Sequence, residues 1–150
     1  MSKIKSFRGR IKDSDIQTIV LHTNNGSTGY RIKKFQLLPI DSNETVEQSV
    51  KIYAVPQVTA TEDIDFSDNT LLAAGIVHAN ADRDFVSPDT VIFDNMIFNQ
   101  DIFITSKAGS SARDVNYYIE LEQFTIDLAE NTIATLKDIR NIEGGLFPTV

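Results

Sequence analysis

Residues 101–107 (DIFITSK) and 115–126 (VNYYIELEQFTI) decide the fold. In the second run Val115, Tyr117, Ile119 and Leu121 fall on one side, and Asn116, Tyr118, Glu120 and Glu122 on the other. Strict alternation over that length marks a half-buried strand, because successive side chains leave a pleated backbone on opposite faces. Ile102 and Ile104 alternate with Phe103 and Thr105 in the first run, and residues 108–114 (AGSSARD) between them are rich in turn formers. The pattern predicts a central hairpin in an antiparallel sheet, with Tyr117, Ile119 and Leu121 in the core and Glu120 and Glu122 on the wet face.

Working outward, further strand-like runs occupy residues 4–11, 16–22 (IQTIVLH), 30–38 (YRIKKFQLL), 50–55 (VKIYAV), 71–79 (LLAAGIVHA) and 91–98 (VIFDNMIF). The run at 30–38 changes parity at Lys33-Lys34, where a β-bulge would restore the pattern. Pro39 and Pro56 end their runs, since proline cannot donate to a ladder. Residues 24–29 (NNGSTG) and 41–47 read as polar loops, and Asp94-Asn95 as a turn or bulge. Near the end the period changes: Leu128, Thr132, Ile133, Leu136 and Ile139 suit a short helix over 131–142, with Asn131 as N-cap and Gly144 as terminator. About eight short strands with one C-terminal helix or turn predict an all-β, antiparallel β-sandwich, jelly-roll-like. A length of 150 residues predicts a single domain, 1–150, with 1–12 as a basic arm or edge strand and 142–150 as a tail.

Cysteine is absent, which excludes disulfides and thiolate metal sites. No apolar block matches a signal peptide, and no run approaches the ~18 apolar residues of a membrane helix, so a cytosolic origin without membrane partners is expected. Net charge is −7, unevenly spread. Lys3, Lys5, Arg8, Arg10, Lys12, Arg31, Lys33 and Lys34 give residues 1–34 a net +6, leaving −13 for the rest. A basic arm on an acidic body suits an acidic protein surface, or is a solvated edge strand guarded by its cations. Without aromatic interleaving it makes a thin nucleic-acid footprint.

Chemistry-bearing patterns are few. Glu62, Asp63, Asp65 and Asp68 could offer oxygens to a hard cation. Counted from Asp63, however, the sixth and twelfth positions of a calcium loop hold Asp68 and Ala74 instead of Gly and Glu, and an acidic turn is the expectation. His22 and His78 have no second ligand at zinc spacing. No nucleophile elbow, Walker loop or dinucleotide fingerprint is present. No enzyme activity, cofactor or metal is expected.

Five phrases occur in a telling order: 29–39 (GYRIKKFQLLP), 64–75 (IDFSDNTLLAAG), 91–105 (VIFDNMIFNQDIFIT), 116–122 (NYYIELE) and 134–141 (ATLKDIRN). Together they resemble small virion structural proteins of marine tailed bacteriophages, cyanophages especially. The resemblance covers most of residues 6–141 and carries no catalytic residues. It implies a particle protein made in the host cytoplasm and resident in the virion. The leading expectation is a capsid decoration or cement protein whose partners are the major capsid protein and copies of itself. The alternatives are a tail, collar or fibre-attachment component, or a carbohydrate- or cation-binding sandwich in host recognition. Expected interface residues are Lys3, Lys5, Arg8 and Arg10 in the arm, and Leu146 and Phe147 in the tail after Gly144-Gly145.

A phenylalanine buried in a partner's groove contributes ~1.5–3 kcal/mol, but contributes little to its own domain when exposed. Deleting 144–150 should therefore abolish oligomerisation or particle binding without changing the melting temperature. A lower melting temperature with docking retained would instead return Leu146 and Phe147 to the chain's own core.

Overall fold

The computed structural model describes residues 3–21, 26–41, 45–79, 90–109 and 111–126. They form eight strands: β1 (Lys3–Ile11), β2 (Asp15–Ile19), β3 (Thr28–Pro39), β4 (Val46–Tyr53), β5 (Leu71–Ala79), β6 (Thr90–Phe93), β7 (Ile102–Ala108) and β8 (Val115–Thr125). A three-stranded sheet ordered β1-β8-β3 packs on a five-stranded sheet ordered β2-β7-β4-β5-β6, and every pairing is antiparallel. The result is the expected all-β sandwich. The chain folds as a nested hairpin, with β4 against β5, β2 against β7 and β1 against β8. Between these, Tyr30 on β3 bridges to Phe98, just beyond β6. That nesting is the jelly-roll arrangement, in which paired strands are rolled together into two layers.

The expected β7–β8 hairpin does not exist. The two strands belong to different layers, and the segment between them is a crossover. Its hydrogen bonds go elsewhere: Gly109 N–H donates to Glu47 C=O (3.1 Å), Ala108 N–H to Asp13 Oδ1 (2.7 Å) and Arg113 N–H to Gln48 Oε1 (2.9 Å). Both alternating patterns are real, but their apolar faces meet across the core. Ile102 and Ile104 look from one sheet toward Val115, Ile119 and Leu121 of the other, and all five are fully buried. Tyr117 is buried with them, while Glu120 and Glu122 are half-buried on the outer face, as expected.

The bulge is where the parity change put it, with the β3–β8 register shifting between Ile32 and Lys34. Both lysines consequently face solvent while Ile32 and Phe35 stay in the core. Two boundaries differ from expectation. β4 begins at Val46, inside the stretch read as polar loop, and ends at Tyr53. Gln48 disguises the pattern: it occupies an inward position at 2% exposure and donates from Nε2 to Ser106 Oγ at 2.7 Å. The run at 91–98 stays in the ladder only to Phe93, and Asp94 is where it leaves. The expected helix at 131–142 and the tail at 142–150 lie outside the described residues.

Where β1, β2 and β8 converge, the packing leaves no room for a side chain on Gly9. A Cβ there would sit 2.6 Å from the Tyr117 hydroxyl, which donates to Gln17 Oε1 at 3.0 Å. Gln17 in turn donates to Arg10 C=O at 2.8 Å, stapling the edges of the two sheets. Gly9→Ala should therefore cost ~1–3 kcal/mol as an overpacking change. Ile119→Ala should cost ~2–5 kcal/mol as a cavity. Chemical denaturation of both variants beside wild type checks these values, and a neutral Ile119→Ala would be inconsistent with this core.

Candidate interaction surfaces

The cations expected to act together lie along β1, the edge of the smaller sheet, but alternation divides them. Ile11 is buried, so Gly9, Phe7, Lys5 and Lys3 share its side, while Arg10, Arg8, Ser6 and Ile4 lie on the outer face. Lys5 reaches the mouth of the sandwich, its Nζ 5.7 Å from the centroid of the Tyr30 ring. Arg10 pairs through Nε with Asp114 Oδ2 at 2.8 Å, an exposed contact that adds little stability. The outer face of this sheet carries a carboxylate spine along β8, flanked by basic strands. Glu122 Oε1 accepts from Arg31 Nε at 2.6 Å, and Glu120 Oε2 from the Tyr118 hydroxyl at 2.7 Å. That carboxylate raises the Tyr118 pKa above its ordinary value. Ile4 and Leu38 stand 55% and 63% exposed on the same face. Leu146 and Phe147 lie outside the described residues.

The acidic stretch 59–69 is organised by a residue the sequence reading passed over. Lys51 on β4 points away from the core, since Val50 and Ile52 point into it, yet it is only 1% exposed. Its ammonium donates to Thr61 Oγ1 at 2.9 Å and to the Asp63 carbonyl, and lies 5.7 Å from the Tyr53 ring centroid. The loop thus closes over the outer face of the larger sheet, where Tyr53, Leu71 and Ala74 form a second small core with Ile64 against it. Burial lowers the Lys51 pKa, opposed by the charges of Asp63 and Asp68. Tyr53 is pushed up to about 12, by burial first and then by Asp68 and Asp65.

Of the four carboxylates expected in an acidic turn, Asp65 and Asp68 make turns. Asp65 Oδ1 accepts from Ser67 N–H (2.9 Å) and Oγ (2.6 Å), which lowers its pKa. Asp68 Oδ1 accepts from Thr70 N–H (2.8 Å) and Oγ1 (2.6 Å). These are Asx turns, in which the side chain satisfies backbone two residues on. Among the described residues no three His, Asp or Glu side chains come together in a group that could hold a metal ion. His78 lies on the exposed outer face, its Nε2 3.4 Å from Glu47 Oε1 across the β4–β5 pair. His22 lies outside the described residues.

Beside the acidic loop is a groove of about 380 Å³, floored by Leu71, Leu72 and Ala74 and walled by Phe66, Ile92 and Phe93. Asp68 and Asp94 stand on its lining. Its walls are open to solvent: Phe66 is 68%, Ile92 52% and Phe93 40% exposed. Scattered exposed apolar residues are ordinary, but a clustered set beside a concavity marks a contact surface. No sequence signal announces the groove, because its walls come from a loop and a strand more than twenty residues apart.

No protein-family model matches the chain, and no curated protein matches it.

The buried ammonium sets a pH dependence whose sign follows from proton counting. With its pKa lowered on folding, Lys51 binds fewer protons in the native than in the unfolded state. Stability should therefore rise with pH through the window below 10.5, up to that ordinary value. Tyr53 acts oppositely: its native state keeps the proton longer, so its contribution is lost as pH climbs from 10 toward 12. Denaturation midpoints across alkaline pH should show a rise and then a fall, and Lys51→Met should remove the rise while keeping the fall.

Proposed function

We propose that this chain is a structural protein of a tailed-bacteriophage particle, most simply one that binds the outside of the assembled head and reinforces it. One observation carries the reading beyond the resemblance. The sandwich devotes its exposed features to contact: a cationic edge strand on one layer, and an apolar groove with an acidic rim on the other. Of the side chains that might have suggested chemistry, His78 lies on the exposed face beside Glu47, and the Asp65 and Asp68 carboxylates are taken up in turns. A β-sandwich of this kind reinforces a lattice by mass action. Copies that bind assembled capsomers and not free ones shift the equilibrium toward the particle. Several modest contacts per copy add through avidity, without any one strong site.

Locating the chain in a cryo-EM map of the virion tests the proposal. Copies in the hundreds on the head surface are expected, whereas a dozen or fewer at the tail or collar would overturn the decoration role. Replacing Lys3, Lys5, Arg8 and Arg10 together with Ser should weaken co-sedimentation with heads while leaving the isolated chain folded. Exposed charges contribute little to folding but steer and hold an oppositely charged partner. Wild-type attachment should also fall as added salt shortens the screening length to below ~8 Å. Attachment indifferent to both salt and substitution would count against a role for the arm.

A further inference from the structure

The groove and the basic edge strand are complementary to each other, and they belong to the same chain. Phe66, Ile92 and Phe93 form an apolar slot, with Asp68 and Asp94 in its lining and Glu62, Asp63 and Asp65 on the adjoining loop. On β1, Ile4 is 55% exposed and shares its face with Arg8 and Arg10, with exposed Lys3 beside it; Glu122 stands opposite Ile4 on β8 with its charge met by Arg31, and Arg10 is paired with Asp114. An exposed apolar side chain on an edge strand of net positive charge is what an apolar slot lined by carboxylates accepts.

Within one molecule the two cannot meet. β1 lies in the three-stranded layer over β2, whereas the groove lies at β5 and β6 in the five-stranded layer, under β3. They are on opposite layers and at opposite edges. We infer that the groove receives the outer face of β1, centred on Ile4 and Arg8, from a second copy of this chain. The contact is heterologous, head to tail, because two grooves brought together would set five carboxylates against five. Each copy in such a contact offers one strand and one groove, so copies link into a ring where the rotation closes and into a chain where it does not. The inference does not depend on the virion reading, and its test uses the isolated chain.

Sedimentation velocity on the full-length protein, over a concentration series at low and high salt, reads the contact directly. Wild type is expected to form species larger than a monomer at low salt and to dissociate at high salt. Two variants separate the halves: Ile4→Ser with Arg8→Ser disables the strand, and Phe66→Ser with Ile92→Ser disables the groove. Each alone should be monomeric with an unchanged melting temperature. Mixed in equal amounts they retain one intact strand and one intact groove between them, so they should form a species of twice the monomer mass and nothing larger. Should the paired groove substitutions lower the melting temperature, Phe66→Ser alone, at a side chain the fold leaves mostly in water, replaces them. A wild type that stays monomeric throughout would overturn the inference. So would a mixture that stays monomeric or grows past two, or either variant associating as wild type does.

Discussion

Everything in the smaller sheet hangs on β8. β1 and β3 do not pair with each other; each is hydrogen-bonded to β8, over nine and eleven register positions respectively. β8 also presents Val115, Ile119 and Leu121, all at 0% exposure, to the opposite layer. One strand therefore supplies both the in-plane scaffold and the central stripe of the core. The physical constraint behind this is period two: on a strand whose ladder is occupied on both sides, a register slip would turn the whole stripe outward. Burial of that stripe fixes the register of β8, and β8 fixes its two neighbours.

The nested topology adds a kinetic consequence. Among the described strands, the β4–β5 and β5–β6 pairs join strands consecutive in sequence near the middle of the chain, while β1 pairs with a strand more than a hundred residues away. Contacts of that separation must close long loops before they return any free energy, so folding is expected to be slow relative to helical proteins of the same size. Loop-closure entropy alone favours closure in the order of the nesting, from β4–β5 outward to β1–β8.

How far the sequence reveals this molecule depends on what each residue reports. Alternation in residues 115–121 identified the core stripe, and the parity change at Lys33-Lys34 identified the bulge, because both are local consequences of pleat geometry. Alternation is silent about partners. Two strands facing each other across a core carry the same pattern as two strands side by side, and so β7 and β8 read as a hairpin when a crossover separates them. Gln48 hid the start of β4 and Lys51 hid its covering loop, since each is polar yet buried by partners on other segments. The basic edge was legible as composition, but its division between two faces needed the register. The groove was not legible at all, since its walls meet only after the chain has folded.

The register of β1 on β8 also governs how the sandwich would bear tension. Lys3, where β1 starts, lies opposite Gln123, close to where β8 stops at Thr125. A pull on the chain from those two points would open the β1–β8 ladder from one end, breaking its hydrogen bonds a rung at a time. Strands loaded in shear must instead break many rungs at once. Peeling needs far less force than shearing, so the backbone leaving those two strands is a poor rope. The faces are a different matter, because load applied across the two layers compresses a close-packed core that yields little. A molecule built this way withstands being pressed between neighbours and is mechanically weak when drawn out by its strand ends.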